Sequence, residues 1–354
     1  MNEPKSARYH RLKRRAGFLS LACSIGLLVV MLVARPTLPV WLYVILLGLA
    51  HELITLPFAI YRGHVLDRRY ELSSETFLAW LRDHFKGFVL GLGLAFTGVQ
   101  VVYVLIAWNE RWWWLSAAFA GAGLTVLLVQ LAPVLLLPLF FKFTPLRRAE
   151  LSERLIELSR RAGVPVLGAY EWALSAKTRR ANAALVGTWR TRRILLSDTL
   201  LSQYTDDEIE VILAHELAHH VHGDIAKGLA LEFGLLLASG YAASIALSMS
   251  WRPLGLQGAS DPAGLPVLLF AAGAVMMAAT PLVNAFSRLN ERRADRFALA
   301  LTHRTDAFVS AMRRLGAQNL AEESPSRASV WLFHSHPPIE QRIAAAKGGG
   351  GQAP

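Results

Sequence analysis

Apolar residues dominate this chain in long, nearly unbroken runs rather than in the short alternating patterns of a soluble domain. Six stretches, Gly17–Ala34, Val40–Tyr61, Gly87–Trp108, Trp112–Phe141, Ala226–Met249 and Gly264–Phe286, approach or exceed the ~20 residues that a helix needs to cross a bilayer. The fourth is too long for one straight helix, and Pro133 and Pro138 are expected to kink or end it. Two polar blocks lie between and after the runs. In Leu146–Arg161 the apolar residues Leu151, Leu155 and Leu158 recur at helical spacing. Ala183–Val186 and Ile194–Leu196 read as short strands joined through Gly187-Thr188-Trp189-Arg190. Thr205-Asp206-Asp207-Glu208 is a capping box that opens another helix.

The expected architecture is therefore a mainly α, polytopic membrane protein with a small α+β part. The N-terminal membrane domain, 1–141, holds four spans, and a polar block, 142–225, follows it. A transmembrane hairpin, 226–286, then interrupts that block, which resumes over 287–347. The Gly-rich tail, 348–354, is expected to be disordered.

Composition agrees, with 53% hydrophobic residues and only 18% charged. A net charge of +11 could suggest nucleic acid, but no recognition motif accompanies it. The basic residues flank apolar runs, so the bilayer and its anionic headgroups are the expected partners and nucleic acid is not. The basic lead from Lys5 to Arg15 precedes the first run, and Arg35-Pro36 closes that run without a small-residue cleavage site, so it reads as an uncleaved anchor. The lone cysteine, Cys23, permits neither an intrachain disulfide nor a cysteine metal site.

Chemistry concentrates in His215-Glu216-Leu217-Ala218-His219. On a helix the four-residue step puts both imidazoles on one face, where they can share one zinc ion, with Glu216 placed to take a proton from water. Two surface histidines on an amphipathic helix would give the same pattern. The apolar face of Ile209, Ile212 and Leu213 sets it on a real helix. The long metzincin motif fails, since His222 and Ile225 stand where it needs glycine and a third histidine. Glu291 and Asp295, four apart after the last run, can supply a ligand and a carboxylate that orients a ligand histidine. They can equally make ordinary helical charge pairs with Arg288 or Arg292, three places away, and spacing alone leaves both open. His220 points off the zinc face and His222 falls short of the next turn. Within or near the runs, His51, Glu52, Gln130 and Glu232 are ionisable or polar groups that a bilayer tolerates only when paired or in water. They are too few for a zinc transporter. A structural zinc site would have no use for Glu216.

With these residues in view the chain resembles the integral-membrane CAAX prenyl protease type 1 family, from about Leu56 to Ile343. The matching motifs are Leu56-Pro57-Phe58-Ala59-Ile60-Tyr61, Pro138-Leu139-Phe140, Lys142-Phe143-Thr144-Pro145-Leu146, Asn182-Ala183, Ser197-Asp198-Thr199-Leu200, the His215–His219 motif, Ser287-Arg288 with Glu291 and Ala294-Asp295, and Ser335-His336-Pro337-Pro338, in that order. The resemblance implies a ring of membrane helices around a water-filled chamber, closed by a gluzincin-type catalytic domain. It also implies one zinc per chain on His215, His219 and Glu291. Peptide or prenylated-protein C-termini would be the substrates, lined up by Asn182-Ala183 as an edge strand, with His336 steadying the carbonyl oxygen in the transition state. Eukaryotic members have seven membrane helices where this chain has six. Ala218 replaces the usual glycine of the zinc motif. The Arg-, Ala- and Leu-rich composition suits a bacterium, where other membrane-associated peptides would take the place of prenylated CaaX proteins.

The connections after the first, third and fifth runs hold one basic residue each, Arg35, Arg111 and Arg252. The positive-inside rule therefore turns the N-terminus and both polar blocks toward the cytoplasm. In a Cys23→Ser protein carrying Ser202→Cys or Ser326→Cys, a membrane-impermeant thiol reagent should react only after sealed right-side-out vesicles are opened. Labelling of intact vesicles would reverse the orientation.

Overall fold

The computed structural model describes residues 4–187, 191–322 and 325–348. Six helices are long and apolar enough to cross a membrane: Lys5–Ala34, Val40–Arg69, Phe77–Trp108, Trp113–Phe140, Asp224–Ser250 and Pro262–Thr302. They coincide with the six apolar runs. The first is α1, Lys5–Ala34. The second comprises α2, Val40–Ile60, a π-helical turn at Tyr61–Val65, and α3, Leu66–Arg69. α4, Phe77–Trp108, is the third. The fourth comprises α5, Trp113–Leu131, a π turn at Ala132–Leu136, and α6, Leu137–Phe140. Prolines therefore do not end this span. Pro133 lies in the π turn, where a widened turn accommodates the missing N–H and the ring.

Next come β1, Phe143–Pro145, α7, Ala149–Arg161, β2, Ala169–Trp172, β3, Ala183–Val186, β4, Arg193–Ser197, α8, Asp198–Gln203, and α9, Asp206–Val221. The last two spans are α10, Asp224–Ser250, and α11, Leu265–Thr302. α12, Thr305–Gln318, α13, Arg327–Phe333, and α14, Ile339–Gly348, complete the chain. Gly348, expected in the tail, closes α14, and the rest of the tail lies outside the described residues, as do residues 188–190 of the expected β3–β4 connection.

Around the membrane part the neighbours run α1, α2, α4, α5, α10, α11 and back to α1, so six helices close a ring. Their apolar windows are 0–22% buried inside the protein, which leaves the apolar surface for lipid. Trp41, Trp108, Trp112, Trp114 and Trp251 lie at the helix ends remote from the polar blocks, the position that tryptophan favours at a membrane interface, while Trp113 beside them is buried in the core. The expected boundary at residue 286 falls inside α11, which runs without a break from membrane to polar block.

The polar blocks form one body. The sheet order is β1-β2-β4-β3, and β3 pairs antiparallel with β4 along one side only. Both strands read from sequence are present. The sheet adds β1 and β2, which carry no run of branched aliphatic residues, Phe143-Thr144-Pro145 ending in a proline and Ala169-Tyr170-Glu171-Trp172 holding a charge. A core of Leu151, Leu155, Leu158, Ile194, Leu196, Ile209 and Leu213 joins α7 and the sheet to α9. The capping box is formed: Thr205 N–H donates to Glu208 Oε2 at 2.9 Å, and Glu208 N–H to Thr205 Oγ1 at 3.3 Å. Thermal unfolding in detergent should rank two variants. Thr205→Ala should cost about 1 kcal/mol, and Leu213→Ala, whose side chain is fully buried, about 2–5 kcal/mol, with the larger fall in midpoint.

Candidate active site

α9 is buried on nearly every side from Glu208 to Ala218 because it packs between the sheet, α7, α11 and α12. Its C-terminal turn presents His215 and His219 to α11, their rings 5.0 Å apart and nearly perpendicular. Facing them, α11 presents Glu291 and Asp295, both buried. His215 Nε2 is 3.3 Å from Glu291 Oε2, and His219 Nε2 is 3.6 Å from Glu291 Oε1. One ligand-type atom from each of His215, His219 and Glu291 lies within 4.8 Å of the others. Glu291 Oε2 is buried and receives no well-aligned hydrogen bond. Two imidazole nitrogens and a carboxylate oxygen suit a zinc ion that keeps a fourth position open.

The other ring nitrogens are assigned by their partners. His215 Nδ1 lies 2.9 Å from Asp295, whose carboxylate is held in turn by Arg342 of α14 at 2.5 and 2.8 Å. His219 Nδ1 lies 2.9 Å from Asp224, which Arg293 of α11 also contacts. Each histidine thus donates through Nδ1 and turns Nε2 toward Glu291. Burial alone would lower His215, but Asp295 and Glu291 reverse that and push it up to about 9, so the cluster favours positive charge. Glu216 sits among His215, His219, Glu291 and His336, and burial raises its carboxyl above the ordinary range, which strengthens it as a base.

The alternative of a helical charge pair between Glu291 and Arg288 is not used. Arg288 donates instead to the carbonyls of Val330 at 3.0 Å and His334 at 2.6 Å, tying down the loop that carries His336. That loop brings His336 Nδ1 to 2.8 Å from Glu291 Oε2. His220 turns away, Nε2 toward the Leu185 carbonyl at 3.3 Å, and His222 lies against Phe297. Asn182 and Ala183 begin the open-edge strand. Ser197 N–H donates to the Asn182 carbonyl at 2.9 Å. The antiparallel register alternates from there, so the Ala183 and Leu185 backbone groups face the free edge. His220 takes the Leu185 carbonyl, which leaves the edge beside Ala183.

Sequence reading missed Asp224 and Arg342, and named Arg288 without its role as the anchor of the loop that carries His336. Asp224 follows His219 by five places, beyond a helix turn. It reaches back only because Gly223 adopts a left-handed φ of 66° between α9 and α10. Neither the role of Arg342 nor the partners of Arg288 carry a local signal, since those partners are remote in sequence.

A helix presenting two histidines and a base to a glutamate on a membrane-spanning helix defines a membrane-embedded metalloprotease. Peptidase family M48 matches residues 145–349, and a family described as CAAX prenyl protease N-terminal, five membrane helices, matches residues 33–142. The chain belongs to peptidase family M48. It is 32% identical to the uncharacterized metalloprotease YhfN of Bacillus subtilis over 86% of this chain and 72% of that protein. It is 30% identical to the probable CAAX prenyl protease 1 of Schizosaccharomyces pombe over 84% of this chain and 64% of that one. In fold it resembles the crystal structure of Ste24p from S. mikatae, with a TM-score of 0.86 at 22% identity, covering 97% of this chain and 88% of the other.

Asp295→Asn and Asp224→Asn should each lower metal affinity about 10–100-fold, the usual effect of losing a carboxylate that orients a metal-bound histidine. Metal content after dialysis against graded chelator measures this. Retention equal to wild type would remove the residue from that role.

Proposed function

We propose that the chain is a zinc endopeptidase that cleaves peptides delivered to the membrane interface, with its catalytic part in the cytoplasm. The juxtaposition of His215, His219 and Glu291 beside Glu216 carries the reading. One zinc per chain would be held by those two histidines and Glu291. When bound, it would polarise water and the scissile carbonyl. Glu216 accepts the proton of the attacking water and passes it to the leaving amine. His336, 64% exposed at its side chain yet touching Glu291, donates to the oxygen on which negative charge develops. The free edge at Ala183, next to Asn182 whose own backbone groups are taken by Ser197, pairs with the extended substrate backbone and sets which peptide bond lies beside Glu216. Asp295 and Asp224 hold the two imidazoles in their working tautomers. Prenylated CaaX C-termini are the substrate class suggested by the relatives named above. In a bacterium, other membrane-associated peptides would take that place.

Three variants separate chemistry from binding. Glu216→Gln should retain zinc and substrate affinity while turnover falls by roughly 10²–10⁴. His336→Phe should retain zinc and lose about 10²–10³ in turnover. Glu291→Ala should lose zinc, and chelation of the wild type should abolish cleavage until zinc is restored. Cleavage of a prenylated CaaX peptide or of a casein-like protein by Glu216→Gln at near the wild-type rate would overturn the mechanism. A zinc-loaded wild type that cleaves neither would point to a non-catalytic scaffold.

A further inference from the structure

Beside His336 the protein opens into a cavity of about 840 Å³, bounded by α1, the π turn after α2, and the stretch from His334 to Arg342. Four cations line it, and three are already engaged. Arg14 is held by Glu322 at 3.0 and 3.4 Å. Arg342 is held by Asp295. Lys13 reaches the Tyr9 hydroxyl at 2.7 Å and Asp67 at 3.5 Å. Arg62 is different. Among the described residues it has neither an ion pair nor a hydrogen bond, and its Nε is buried. Its guanidinium lies against α1 at Gly17, about 3.7 Å from where a Cβ would stand. A partly buried guanidinium without a partner is costly, and this one sits on a π-helical turn, a distortion frequent at functional sites. The opposite wall is apolar, with Phe18, Leu21 and Phe333 lining it.

We propose that Arg62 receives the free α-carboxylate at the substrate's C-terminus, so that the chain end lies in this cavity while the scissile carbonyl lies beside His336. The inference rests on the peptidase reading and names the residue that would hold the end of its substrate. A planar guanidinium matches a carboxylate with two parallel hydrogen bonds. The apolar wall accepts a hydrophobic side chain near the terminus, and the volume is that of a small-ligand pocket, enough for a short peptide end.

The test compares two fluorescent peptides that differ only in ending as a carboxylate or a carboxamide. A third ends as a carboxamide with Asp as its last residue. Binding is measured on full-length, zinc-loaded Glu216→Gln protein in nanodiscs of neutral lipid, and kcat/KM on the wild type. The acid should bind about 10–100-fold tighter than the amide, the range for a charge-assisted hydrogen bond. Arg62→Gln should bring the ratio to about one, and Arg62→Lys should keep part of it. Equal binding of acid and amide, or a ratio that survives Arg62→Gln, would overturn the proposal. Asp-amide binding as tightly as the acid would assign the site to acidic side chains instead. Loss of the preference in nanodiscs of anionic lipid would assign it to a headgroup. A clear binding preference without cleavage by the wild type would uphold the carboxylate site and overturn the peptidase reading.

Discussion

His215 is caught between two carboxylates of a single helix, and the geometry of the site follows from that contact. Asp295 and Glu291 are one turn apart on α11, so they meet the imidazole from its Nδ1 and Nε2 sides. In a buried, low-dielectric setting such contacts are strong and exact a high penalty if left incomplete. Arg342 balances Asp295 and so keeps two neighbouring carboxylates from repelling each other. The same pairing fixes the register of α9 against α11. That register places His219 and Glu216 and, through Arg288, the loop that carries His336.

The spans were legible because a bilayer leaves a helix no partner but itself for its backbone groups, which forces long apolar runs. The His215–Glu216–His219 face was legible because four residues make one turn. Glu291 and Asp295 were legible as a shared face, but not their partner. Choosing between α9 and Arg288 required the packing of two helices separated in sequence by the membrane hairpin. The edge at Ala183 depends on the parity of pairing with β4, which a four-residue strand does not announce. Arg62 follows an apolar run, as many basic residues of this chain do, and nothing in its spacing sets it apart. Among the described residues it has no counter-charge, a property of the folded neighbourhood alone.

The polar groups inside the apolar runs have a role in the ring. Ser24 and His51 approach to 3.1 Å between α1 and α2. His84 meets Glu52 at 2.7 Å between α4 and α2. Thr125 donates to Glu232 at 2.9 Å between α5 and α10. Each joins neighbouring helices, where interhelical hydrogen bonds contribute to association that apolar side chains in lipid do not drive by hydrophobicity.

The chain order of the site has a consequence for biosynthesis. His215, Glu216 and His219 are translated before α10, whereas Glu291, Asp295 and His336 are translated only after most of α11 has followed it. A nascent chain therefore holds half a centre until the final hairpin threads the bilayer and α11 docks on α9. The two halves of the site thus lie on either side of the hairpin in the chain, and the α9–α11 contact that joins them can form only once both have been made.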